Sequence, residues 1–165
     1  MFTEGKRGQD ILVRAFEVSE GKTVDLVVDQ EVRGVTPEMF QWWTTQIATR
    51  YTIWFPQAHL SAKIEMPPGD GPPTIIIEEN IGEFYTVFRC LPTEEGLTML
   101  TPDDKPMGGL IHQPEPSPTG IKLHSVFTFP AKTPQRFLDD MRQHCKDEMQ
   151  DLPRFLPELY RREAK

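Results

Sequence analysis

The amino-acid sequence predicts an α+β fold in which a curved antiparallel sheet grips a long C-terminal helix. Three observations lead there. Thr23–Val32 alternates apolar and polar residues as a half-buried strand does, short strand-like runs separated by turns fill residues 51–130, and a clean helical stripe follows Thr133-Pro134. The order strand, helix, several strands, long helix is that of a sheet layered on its last helix.

Taken in order, residues 1–20 carry only a weak apolar alternation at Ile11–Val18 and are read as an arm or an edge strand. In Thr23–Val32, Val24, Leu26 and Val28 alternate with Asp25 and Asp29. Thr36-Pro37 then supplies an N-cap and a proline at the first helical position. Met39, Trp43 and Ile47 recur at i, i+4 and i+8, which predicts a helix to about Ala48. Strands are expected at Leu60–Met66, Pro73–Asn80, Phe84–Leu91, Leu110–His112 and Ile121–Phe129, and the connectors PPGDGPP and QPEPSPTG have the composition of turns and extended loops. After Thr133-Pro134 one helix face carries Phe137, Leu138, Met141, His144, Cys145 and Glu148, while Arg136, Asp139, Arg142, Gln143 and Lys146 fall on the flanks or back. Pro153 and Pro157 are expected to break this helix and leave residues 153–165 as a short amphipathic tail.

Composition bounds the function. At 165 residues the chain suits one domain spanning 1–165, and 38% hydrophobic with 26% charged residues is globular, too apolar for disorder. The net charge of -7, without a dense Lys/Arg block, argues against nucleic acid and anionic membrane surfaces as partners. The N-terminus has no apolar signal core, and no stretch approaches the roughly 20 apolar residues of a membrane span, so the expected location is cytoplasmic. Cys90 and Cys145 are too few for a disulfide framework or a thiolate zinc site and read as small buried hydrophobes. Trp42, Trp43 and the N-terminal arm leave room for a homodimer.

The chemistry lies where the apolar pattern is violated. Phe137, Met141, His144 and Glu148 follow the 4-3-4 spacing of a core-facing stripe, so two ionisable groups point where apolar residues belong. One turn apart, His144 and Glu148 can grip one ion together. In Ile75-Ile76-Ile77-Glu78-Glu79, strand parity sends the two glutamates to opposite faces, and a sheet with one buried face takes one of them inward. His59 follows the aromatic run YTIWFPQAH just before a strand. Two imidazoles and two carboxylates around a divalent cation leave no net charge, which a buried site tolerates. Zinc accepts nitrogen and oxygen donors, and its purely structural sites favour the thiolate missing here, so the set leans catalytic; iron, manganese and cobalt accept the same donors. Four protein ligands fill a tetrahedron, so turnover requires coordination to expand or one glutamate to let go.

The segments VTPEMFQWW, RYTIWFPQAH, IIIEENIG, LIHQ with the later LHSVFTF, and HCKDE resemble the 2,4-diacetylphloroglucinol hydrolase family, which includes phloretin hydrolase. The resemblance covers most of residues 23–150. It implies a helix-grip fold like that of Bet v 1 and START-domain proteins, and a zinc-dependent hydrolase that cuts the carbon–carbon bond between an acyl group and a phenolic ring. By the family's order of ligands the metal falls to His59, Glu79, His144 and Glu148, while Tyr51 and His112 match residues able to handle protons. Ala62 stands where those enzymes place an asparagine, His124-Ser125-Val126-Phe127-Thr128 departs from their RSRFW-like run, and the chain is shorter than theirs. The expected substrate is a small aromatic or polyketide-like compound of open identity. A cyclase, aldolase or isomerase on such a substrate is the nearest alternative, and a non-catalytic carrier of a hydrophobic ligand is the next.

Overall fold

The computed structural model describes residues 7–165. Seven strands form one antiparallel sheet: β1 (Thr23–Arg33), β2 (His59–Glu65), β3 (Thr74–Ile81), β4 (Phe84–Pro92), β5 (Gly96–Leu100), β6 (Pro106–Ser117) and β7 (Gly120–Pro130), in the order β1-β7-β6-β5-β4-β3-β2. Strands β1 and β2, consecutive in the chain, therefore lie on opposite edges. The crossing between them is made by α2 (Pro37–Thr44), α3 (Ile47–Arg50) and a 3-10 turn at Tyr51–Ile53. The last helix, α4 (Gln135–Glu163), touches both β1 and β3 near the two edges, which a sheet can arrange only by curling around it. Its apolar stripe of Phe137, Met141, Cys145, Met149, Leu152 and Leu156 is buried against inward residues such as Val28, Ile81, Leu123 and Phe129. This is the predicted sheet gripping its last helix.

Several expectations are corrected. Residues 8–18 are neither arm nor strand: Gly8–Val18 is a helix, α1, whose buried residues Gly8, Leu12 and Ala15 fall at i, i+4 and i+7. Two of those three are small, which is why the stripe is faint in the sequence. The part of the expected arm before residue 7 lies outside the described residues. Trp43 belongs to the core, and Trp42 packs edge-on against Tyr160 at 5.6 Å. The helix from Pro37 ends at Thr44, four residues early, because the hydroxyls of Thr44 and Thr45 bond the carbonyls of Gln41 and Trp42 and compete with the helical ladder. Strand β5 was not expected, and QPEPSPTG is mostly strand: β6 runs to Ser117 with Pro114 and Pro116 inside it. Pairing with β5 stops at Ile111, so these prolines sit on an edge where a missing N–H costs no ladder bond.

The tail beyond Pro153 is also helix, since α4 continues without interruption to Glu163. Each internal proline costs about 3 kcal/mol or more, whereas fully burying a leucine contributes about 1.5–3 kcal/mol. Leu152, Leu156 and Leu159 are all buried, and Arg50 pairs with Glu163 at the far end. Packing outweighs propensity. Among the described residues no helix is long and apolar enough to cross a membrane.

Helix α1 meets β4 through a contact only glycine permits, because a Cβ on Gly8 would lie 2.1 Å from Thr86 Oγ1 and 3.1 Å from the Phe137 ring. Thr86 is fully buried and bonded to the Phe84 carbonyl, so it has nowhere to turn. Gly8→Val is accordingly expected to destabilise the protein by about 1–3 kcal/mol in urea unfolding, and an unchanged midpoint would mean that α1 does not pack on β4.

Candidate metal centre and cavity

Strand parity decides between the two glutamates. Ile77, Glu79 and Ile81 are buried on the inner face of β3, while Glu78 is only half-buried on the outer face and accepts a hydrogen bond from Tyr85 Oη at 2.6 Å. His59, the first residue of β2, pairs directly with Glu79, and Ser61 pairs with Glu78, which leaves Leu60 as a bulge. The bulge lies on β2, so the parity of β3 stays regular. From the opposite side α4 brings in His144 and Glu148. All four residues are 2–6% exposed.

One atom from each side chain faces a common point. His59 Nε2 lies 3.0 Å from Glu148 Oε2 and 3.6 Å from Glu79 Oε2, and His144 Nε2 lies 3.3 Å from Glu79 Oε2 and 3.4 Å from Glu148 Oε2. A tetrahedron with ligand distances of about 2.0–2.2 Å has edges of about 3.3–3.6 Å. The four separations bracket that range. His144 Nε2, although flanked by both carboxylates, makes no hydrogen bond of acceptable geometry; it is aimed between them. Two carboxylates and two neutral imidazoles balance a divalent cation, and without one the glutamates would face each other as like charges out of water. The set fits a metal ion.

Without metal, a proton takes the cation's part. Burial opposes a charge on His144, but the facing Glu79 and Glu148 carboxylates outweigh it and push the imidazole up to about 10. Burial alone would raise Glu148; the adjacent imidazoles, His144 foremost, bring it down to about 2.

The segment leading to His59 builds an aromatic enclosure around that ring. Tyr51 stacks on it at 4.0 Å, Trp54 meets it edge-on at 4.7 Å and Phe55 at 5.7 Å. These contacts fix the ring even though its Nδ1 has no hydrogen-bond partner, the usual means of orienting a liganding histidine. The Tyr51 hydroxyl donates to Glu79 Oε2. Burial, then the charges of Glu79 and Glu148, hold this phenol well above its ordinary pKa, so it acts as a donor.

Beyond the two glutamates opens a cavity of about 390 Å³. Trp43, Trp54, Phe88, Phe127, Met141 and Met149 supply apolar wall, and Tyr51 and His112 both line it. His112, on β6, stands across the strand pair from Ser125, with Nδ1 2.7 Å from Ser125 Oγ and its ring set edge-on to Phe40 and Phe127. Burial, opposed only by Glu148, lowers its pKa to about 4, so the imidazole is neutral at ordinary pH. The structure thus gathers all six sequence-derived candidates at one cavity or directly behind it. Ala62 packs opposite Ile77 and brings no polar group, His124 lies outside on Asp29, and Cys90 and Cys145 are buried free thiols. Sequence reasoning missed Trp54, whose Nε1 donates to the Glu148 carbonyl at 2.6 Å, and Asp151, which holds the Phe55 amide at 2.8 Å. Their signal was present, since Asp151 follows Glu148 by three residues on α4.

Residues 16–85 match the family model of the DAPG hydrolase PhiG domain. The matched stretch holds Tyr51, His59 and Glu79, and the fold brings His112, His144 and Glu148 to them from outside it. Among solved structures, Ara h 8.0201 superposes with a TM-score of 0.59 at 12% identity, covering 83% of this chain and 99% of that one. Protein NE0264 from Nitrosomonas europaea superposes with a TM-score of 0.51 at 14% identity, covering 86% and 96%. At such identities the likeness is one of fold, the Bet v 1-like sheet and long C-terminal helix. No significant match is found among curated protein sequences.

Two predictions follow from the geometry. Glu79→Gln preserves shape but removes a charge that balances the cation, so it is expected to weaken zinc binding at least about 10-fold by titration, while Glu78→Gln stays near wild type; the reverse pattern would place the wrong glutamate inside. For His112 the folded pKa lies below the unfolded one. The unfolded chain therefore takes up the proton first, and stability falls as pH drops from about 6.5 toward 4. His112→Gln should lose that part of the acid sensitivity in unfolding curves recorded across this range, and an imidazole titrating near 6.5 by NMR would contradict the assignment.

Proposed function

We propose that the protein is a metal-dependent hydrolase that cleaves the carbon–carbon bond between an acyl group and a phenolic or 1,3-dicarbonyl ring. The observation carrying this reading is a two-histidine, two-glutamate cluster whose glutamates line a largely apolar cavity that also holds His112 and Tyr51 in its wall. The family match over residues 16–85 supports the same chemistry. A ligand carrier needs only the apolar wall. Burying two carboxylates beside two imidazoles costs several kcal/mol for each uncompensated charge, which a passive pocket has no reason to sustain.

His59, Glu79, His144 and Glu148 would hold the cation, with zinc preferred on donor type and iron, manganese or cobalt accepted. Such an ion polarises an acyl carbonyl and lowers the pKa of water. The protein's own residues do the rest. The aromatic and methionine walls hold the ring and exclude bulk water, which strengthens every charge interaction inside. Cleavage breaks the bond between acyl carbon and ring carbon; the acyl carbon gains the oxygen of water and leaves as a carboxylic acid, and the ring carbon ends with a proton. A bare aryl carbanion is too unstable to leave, so the ring must be protonated at that carbon first, in its keto form. In this reading His112, which lines the cavity, relays that proton from a ring hydroxyl to the ring carbon, since a neutral imidazole can both accept and donate. Tyr51, a donor to Glu79 Oε2, would stabilise the charge on that carboxylate.

The test is direct. Zinc-loaded protein given a panel of acylphenols and cyclic 1,3-diketones should release the matching carboxylic acid, lose at least about 100-fold in rate on chelation or in His112→Gln, and recover with added metal. Stoichiometric metal without acid release from any of them would leave the cage and overturn the hydrolysis.

A further inference from the structure

The bend at Ile53–Phe55 delivers His59, and its backbone is under strain. Phe55 has φ of 47°, a left-handed conformation that a bulky residue adopts only where its surroundings impose it, and Pro56 follows it directly. Three consecutive residues of the bend are each tied to a different residue along one face of α4. Trp54 Nε1 donates to the Glu148 carbonyl at 2.6 Å, the Phe55 amide donates to Asp151 Oδ2 at 2.8 Å, and Arg154 Nη2 donates to the Ile53 carbonyl at 2.7 Å. Arg154 also braces Asp151 with two parallel bonds of 2.8 Å, Nε to Oδ1 and Nη2 to Oδ2. The Phe55 carbonyl in turn accepts the amides of Ala58 and His59, both at 3.0 Å. Asp151 is therefore one residue and one hydrogen bond away from the backbone of a cage histidine. The Phe55 ring also stands edge-on to both His59 and His144, at 5.7 and 5.6 Å.

We propose that Asp151, braced by Arg154, is a positioning residue for the metal cage: it holds Phe55 in its left-handed backbone and so fixes His59 against the helix that carries His144 and Glu148. The inference rests on the metal-centre reading above. Strand pairing to β3 ties the His59 backbone to that of Glu79, and the clamp ties the segment leading to His59 to α4, alongside the direct approach of His59 Nε2 to Glu148 Oε2. The cage is thereby assembled before metal arrives, so little binding energy goes into ordering the loop.

Zinc titration against a chromogenic chelator, the visible spectrum of the cobalt-loaded protein and the melting temperature of the metal-free chain test this in wild type and three variants. Asp151→Ala is expected to weaken zinc about 10- to 100-fold, the range over which outer partners of metal ligands act, and to alter the cobalt d–d bands, which report coordination geometry. Asp151→Ala combined with Phe55→Gly should regain part of the lost affinity, because glycine enters the left-handed region freely. Arg154→Gln, at an exposed position, should weaken zinc by a smaller factor and keeps the test alive if Asp151→Ala does not fold. Wild-type affinity and cobalt spectrum in Asp151→Ala or in Arg154→Gln, whatever the melting temperature, would overturn the clamp. A wild-type chain that takes up neither metal would instead overturn the metal centre, and the clamp with it.

Discussion

Two buried carboxylates a few ångströms from the same imidazole nitrogen are the constraint on which the rest of this structure depends. Glu79 and Glu148 are about as buried as the leucines around them, and each lies within 3.6 Å of both His59 Nε2 and His144 Nε2. Removing such charges from water is tolerable only where a cation or a shared proton stands between them. The fold supplies the walls for that arrangement. A strand from the sheet edge carries His59, its neighbour carries Glu79, and the helix gripped by the sheet carries the remaining two.

That division of labour explains why the crossing from β1 to β2 is built as it is. The chain leaves one edge of the sheet and must arrive at the other with His59 in register with Glu79. Trp43, Trp54 and Phe155 pack together under the crossing, with the Trp54 ring centroid 6.1 Å and the Phe155 centroid 4.9 Å from that of Trp43. Helix α4 extends past two prolines to support the same region, where Trp42 meets Tyr160 and Arg154 reaches the Ile53 carbonyl. The length of α4 beyond the turn that carries His144 and Glu148 is thus tied to the site, and the helix tolerates Pro153 and Pro157 because its buried leucines offset them.

Much of this was legible in the sequence, for identifiable reasons. The strands of strict alternation, the capped start at Thr36-Pro37 and the late helical stripe were read correctly because burial there is one-sided and periodic. His144 and Glu148 stood out because ionisable residues occupied positions the helical period reserves for apolar ones; strand parity narrowed the next to Glu78 or Glu79, and only the family resemblance singled out Glu79 and His59. What escaped had weak or contrary local signals. Helix α1 buries Gly8 and Ala15, which carry almost no hydrophobic signature. Strand β5 is only five residues long and begins at a glycine whose missing side chain lets the Leu110 carbonyl approach. The prolines of β6 and α4 argue locally against the structures they occupy, and only tertiary pairing reveals that one pair lies on a free edge and the other on a well-buried helix. The Phe55 bend and its clamp join residues about 96 positions apart, a separation at which local pattern carries no information.

The central claim is that the four converging side chains enclose a metal ion, and anomalous X-ray diffraction from crystals grown with zinc, recorded on both sides of the zinc absorption edge, tests it most directly. The account predicts one strong peak per chain, about 2.0–2.2 Å from His59 Nε2, His144 Nε2 and at least one oxygen each of Glu79 and Glu148. No peak at that point, with the imidazoles closing on the carboxylates as simple ion pairs, would contradict it.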